Sequence, residues 1–124
     1  MLPAAPSRVL VAIPAYNEAA TIAEVVARVR SSMPSFDLLV VNDGSSDATG
    51  EVLSREGVLT ATHLCNLGYG RAIQTALLFA ARHGYATLIT LDADGQHQPE
   101  QVLALFQEYE RTRVDCMVGS RFVA

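Results

Sequence analysis

Apolar residues follow two rhythms along this chain, short unbroken runs and helical stripes, and the two alternate. Arg8 to Ile13 reads RVLVAI, a β-branched run closed by Pro14, which predicts a strand buried on both faces. Ile22, Val25, Val26 and Val29 then recur at i, i+3, i+4 and i+7, one face of a helix, with Thr21 and Glu24 spaced for a capping box and Pro34 beyond its end. Phe36 to Val41 (FDLLVV) predicts a second strand, stopped by Asn42-Asp43-Gly44. A short helix carrying Val52 and Leu53 follows, with Asp47 placed to cap it. Gly57 to Leu64 gives a weaker third strand. The next helix has Ile73, Leu77 and Ala80 or Ala81 as its expected inward positions and Gly84 as its C-terminal cap. Tyr85 to Leu91 predicts a fourth strand. Pro99 opens a helix with Val102, Leu105, Phe106 and Tyr109 on one face, and Asp115 to Val118 begins a fifth strand.

Strands alternating with helices at this spacing predict an α/β fold, a largely parallel sheet joined by right-handed crossovers and flanked by helices. Ligands of such sheets bind outside the carboxyl ends of the strands, so the loops after each strand carry the chemistry. Those loops are PAYNE (14–18), DGSSD (43–47), NLGYGR (66–71), DADGQ (92–96) and GSR (119–121).

Composition narrows the classes. A chain of 124 residues, half of them apolar, has material for one core and no second domain; residues 1–7 read as a tail and residues 8–124 as the domain. A net charge of -4, spread along the chain, lacks the basic face of a nucleic-acid binder. No apolar run reaches the roughly 18–20 residues of a membrane span, and Met1 to Ser7 lacks the apolar stretch of a signal peptide. The expected setting is cytoplasmic, with any membrane contact peripheral. Cys65 and Cys116 are widely separated and read as reduced, small buried hydrophobes. Nothing here specifies oligomeric state.

Asp92 and Asp94, two apart in extended chain, point to one side, so both carboxylates can share a hard divalent cation. Taken alone, the same residues suit an ordinary solvated acidic turn. Asp43, short and placed at a strand end, could accept a hydrogen bond from a nucleobase N–H or simply shape its turn. Gly68-Tyr69-Gly70 leads into a helix N-terminus, whose free amides favour anions; the same glycines also suit a tight turn. Tyr16 is placed to stack on a base or to pack on the core, and Glu18 doubles as a helix N-terminal charge. Arg71 reads as a solvated surface residue, whereas Arg121 is a candidate phosphate partner. His63 and His83 read as solvated or capping residues, and only His97, just past the acidic motif, lies within reach of a ligand.

Taken in order, IPAYNE, VVNDGSSDAT, NLGYGRA, LDADGQH and VGSRF resemble glycosyltransferase family 2, in particular its polyprenyl- and dolichyl-phosphate sugar transferases, over residues 9–122. The resemblance implies a Rossmann-like GT-A fold, a UDP- or GDP-sugar donor, a divalent cation (Mg2+ or Mn2+) and inversion at the anomeric carbon. By the same matching, Pro14, Tyr16, Asn17 and Glu18 line the nucleoside pocket and Asp43 contacts the base, with Gly68 in the loop that follows. Asp92, Asp94 and Gln96 surround metal and diphosphate, and Arg121 holds a donor or acceptor phosphate. The catalytic assignments fall on Asp94 and Arg121. Members of the family are usually longer, which makes residues 8–124 read as a donor-binding portion truncated at its C-terminal end, one that would bind nucleotide without completing a turnover. A lipid phosphate acceptor, already anionic, would need no general base.

Other readings stay open at the level of sequence. A haloacid-dehalogenase-like phosphatase also uses Asp-x-Asp after a strand, but on its first strand and normally followed by Thr, where Gln96 stands here. A sugar nucleotidyltransferase usually carries a Gly-rich, basic signature after strand one, which PAYNE is not. A non-catalytic nucleotide-binding module is the third.

Overall fold

The computed structural model describes residues 8–94 and 98–112. Four strands, β1 (Val9–Ala15), β2 (Asp37–Asn42), β3 (Leu59–Thr62) and β4 (Thr87–Thr90), alternate with four helices, α1 (Ile22–Ser32), α2 (Thr49–Glu56), α3 (Tyr69–Arg82) and α4 (Pro99–Thr112). All pairings are parallel and the order is β3-β2-β1-β4. The predicted fifth strand, Gln96, His97, Cys116 and Arg121 lie outside the described residues.

The unbroken apolar run of β1 is explained by its central place. Val11, Ile13 and Ala15 face one layer with Ile22, Val25, Val26, Val29, Val52 and Leu53, while Leu10 and Ala12 face the other with Ala72, Ala76 and Ala80. Leu10 to Ile13 are wholly buried, and each large aliphatic side chain so buried stabilises by about 1.5–3 kcal/mol. Val102 and Leu103 bring α4 against the first layer, and Phe106 meets Phe36 edge-on with ring centroids 5.1 Å apart.

Several expectations are corrected. β1 runs through Pro14 to Ala15 instead of ending at Ile13. Ala15 O accepts from Asp43 N on the β2 side and Ala12 O from Leu91 N on the β4 side, so by alternation Pro14 faces β4 beyond its last residue. Its missing N–H therefore costs no ladder bond. The Thr21/Glu24 capping box does not form, because the Thr21 hydroxyl is used elsewhere. On α3 the inward stripe is Ala72, Ala76 and Ala80; Ile73 is half-buried, and Leu77 and Ala81 are exposed. Alanine lets α3 lie close to the sheet, which a leucine at the contact would hold off. Gly84, at φ +74°, follows the last turn of α3, and Tyr85 N closes it on Ala80 O. Cys65 is free but exposed, since it lies on the loop before α3.

Chain order reverses beside β1: β2 and β3 build to one side, and α3 crosses back to set β4 on the other. The crevice above the β1/β4 boundary is therefore the switch point at which such sheets bind ligands.

Candidate active site

A cleft of about 370 Å³ opens there, walled by the loops after β1, β2, β3 and β4. Pro14, Tyr16, Glu18, Asp43, Gly68, Asp92 and Asp94, all named from sequence, line it together. Asn66 and Tyr69 join them. Asn17 does not line the cleft and instead stitches two of its loops together. Its backbone is left-handed (φ 54°), its N–H donates to Ser45 Oγ at 3.0 Å, and its Oδ1 accepts from Ser46 N at 2.8 Å. Glu18 N donates to Thr49 Oγ1 at 2.9 Å and Ala19 N to Asp47 Oδ2 at 3.2 Å. Asp47, expected to cap α2, stands one residue before Ala48, which holds the cap position, and its Oδ1 accepts from Thr49 N at 2.9 Å. The Thr49 hydroxyl holds its carboxyl below the usual range.

The Asp92-Ala93-Asp94 turn is tied down at its middle. Ala93 is buried in the core, and its carbonyl accepts from the Thr21 hydroxyl at 2.7 Å; the same hydroxyl lies 3.2 Å from Glu18 Oε2. Thr21 thus joins the start of α1 to the acidic turn, a role residue type alone did not signal.

Asp43 is heavily engaged, with only 5% of its side chain exposed. Its Oδ1 accepts from His63 Nδ1 at 2.7 Å and Leu67 N at 2.9 Å; its Oδ2 accepts from Gly68 N at 2.9 Å and Asn66 Nδ2 at 3.1 Å. Burial alone would raise this carboxyl, but the His63 hydrogen bond and the two amides outweigh it and hold it below the usual carboxylate range. Four donors match the roughly four acceptor sites of a carboxylate. His63, expected to be solvated or capping, is instead a part-buried bridge whose Nε2 lies 2.7 Å from Thr75 Oγ1 on α3. The register carried a signal for it: Asn42 pairs Thr62, so Asp43 and His63 are the next residues of neighbouring strands. Gly44 beside them is obligatory, because at φ +70° a Cβ would meet the Cys65 backbone at 2.3 Å.

Among the described residues four carboxylates line the cleft, Glu18, Asp43, Asp92 and Asp94, and no arginine does. Burial, and then the nearby Asp92 charge, push the Tyr69 hydroxyl above its ordinary value. Among the described residues no three His, Cys, Asp or Glu side chains gather at metal-binding distance. Asp92 and Asp94 lie on a turn and not in the extended chain expected, so strand alternation does not set their directions; both line the cleft, and carboxylate oxygens are the donors that suit a hard divalent cation completing its shell with phosphate and water.

These features define a parallel α/β layer with an acidic turn at its switch point, and solved structures share the architecture. Glucosyl-3-phosphoglycerate synthase from Mycobacterium tuberculosis, crystallised with Mn2+, UDP and glucosyl-3-phosphoglycerate, superposes with a TM-score of 0.70 at 24% identity, covering 83% of this chain and 39% of that one. A mannosyltransferase from Pyrobaculum calidifontis, in complex with GDP-Man and Mn2+, gives 0.65 at 26% identity, covering 82% and 31%. The fold is GT-A.

Residues 10–124 match the family model "Glycosyl transferase family 2", and the chain belongs to that family. The undecaprenyl-phosphate mannosyltransferase of Micrococcus luteus is 38% identical over 121 residues, covering 94% of this chain and 49% of that protein. The chain thus spans about half the length of this curated relative. The family and the place of Asp92 after β4 favour the transferase reading over the phosphatase.

Proposed function

We propose that this chain forms the donor site of a metal-dependent, inverting glycosyltransferase that moves a sugar from UDP or GDP to a polyprenyl phosphate. The observation that carries the reading is the acidic cleft at the β1/β4 switch point, where Asp92 and Asp94 share a turn anchored at Ala93. Asp92 and Asp94, with Gln96, would hold Mg2+ or Mn2+; when bound, the cation offsets charge on the departing nucleoside diphosphate. Pro14 and Tyr16 line the nucleoside side, where the half-exposed Tyr16 ring suits stacking on a base. Asp43 closes that side as a wall, and the amides it fixes set the loop before α3. Arg121 is assigned to a donor or acceptor phosphate.

The acceptor assignment is supported by the relative's lipid-phosphate substrate, and a phosphate needs no base to remove a proton. No described helix is long and apolar enough to cross a membrane; it is the lipid-phosphate acceptor of the relative that sets the site at a membrane surface in this reading. Product analysis of the enzyme that carries this donor site tests it: Mn2+, labelled UDP- or GDP-sugars, and either undecaprenyl phosphate or a saccharide are supplied together. Label in the lipid supports the proposal. Label passing only to a saccharide hydroxyl contradicts it.

A further inference from the structure

The bridge from β3 to α3 has a role beyond packing, and we infer that His63 is a positioning residue for the nucleoside end of the cleft, acting through Asp43. The inference rests on the donor-site reading above. A carboxylate held ionised only accepts, so His63 Nδ1 must carry the proton at that 2.7 Å contact. Nε2 faces the Thr75 hydroxyl at 2.7 Å, and the two contacts together hold the ring plane. One side chain therefore ties the end of β2, the end of β3 and the second turn of α3.

What this strut controls is local. Asp43 receives the backbone amides of Leu67 and Gly68, the last two residues before α3. Its other side-chain donor, Asn66, is an exposed residue at 3.1 Å and is easily lost to water. Of the two described side-chain donors to Asp43, His63 is the less exposed, with 11% of its side chain open to solvent. Without it, a desolvated carboxylate is one donor short and free to turn, and the wall formed by Asn66, Gly68 and Tyr69 loses its reference point. The acidic turn at the other end is held separately, by Thr21 and Ala93. Tyr69 of this wall lies near Asp92, but the acidic turn keeps its own anchor in Thr21, so His63 should govern the grip on the nucleoside more than the grip on the diphosphate.

Calorimetry on the full chain with Mn2+ tests this, using UDP, GDP and inorganic pyrophosphate as probes. His63→Ala is expected to weaken the better nucleotide about tenfold and to change pyrophosphate binding less than about twofold. His63→Asn places an amide N–H close to the Nδ1 position, so it should recover nucleotide binding to within about threefold of the parent, although it too loses the Thr75 bond. Thermal melts verify that both variants fold. Unchanged nucleotide binding in His63→Ala, equal weakening of pyrophosphate, or an Asn variant no better than Ala would each overturn the inference. A parent chain that binds neither nucleotide would overturn the donor-site reading itself, a result distinct from all three.

Discussion

Replacing Thr21 by valine isolates the tether that holds the acidic turn. Valine matches threonine in shape, so no cavity opens, but the 2.7 Å bond to Ala93 O and the 3.2 Å contact with Glu18 disappear. Ala93 is 3% exposed, so its carbonyl is left short of a partner in a place where water enters poorly. Losing one partner of a buried pair costs about 1–3 kcal/mol. The usual loss of about 1 kcal/mol for removing a helix cap does not add, because Thr21 makes no cap hydrogen bond. A net cost of about 1–2 kcal/mol is expected in urea unfolding, with Mn2+-dependent nucleotide binding weakened about fivefold as Asp92 and Asp94 lose their anchor. Thr21→Ser, which keeps the hydroxyl, should restore most of both. Equal stability of the valine and parent proteins, or a serine variant as impaired as valine, would refute the tether.

Two further outcomes follow from the packing and the charges. Ala76→Leu forces a larger side chain between α3 and the sheet at a wholly buried position and should cost about 1–3 kcal/mol, whereas Leu77→Ala, at a half-exposed position, should cost under about 1 kcal/mol; urea midpoints compare them. Asp37 (through the Tyr85 hydroxyl and then Arg8), Asp43 and Asp47 all sit below the ordinary carboxylate value of 3.8. Their contributions are present above that value and lost as pH falls through the folded-state values, so the urea midpoint should hold near pH 5 and drop below about pH 4. Asp43→Asn should flatten part of that drop, and a midpoint that rises on acidification would contradict the assignment.

Periodicity made the α/β class and most of the helix faces legible, because burial of a central strand or one helical stripe imposes a simple spacing. It failed on α3, where the contact is set by how closely alanine lets the helix approach and the larger residues point elsewhere. The loop positions of Asp43, Asp92 and Asp94 were equally legible, since strand ends are marked by turn residues. The roles of Thr21, Asn17 and His63 were not, because each acts on a loop distant in sequence. Thr21 reaches Ala93 across 72 positions and His63 reaches Asp43 across 20, contacts that only strand order and register create.

The central claim is that Asp92 and Asp94 let an acidic cleft take an anion by way of a cation. Titrating UDP and GDP into the full chain by calorimetry, with Mn2+ and then with excess EDTA, measures this directly in the parent and in Asp92→Ala and Asp94→Ala. Binding is expected to require Mn2+ and to fall at least about thirtyfold in either variant. Binding that survives EDTA, or that both alanine variants retain, would contradict it.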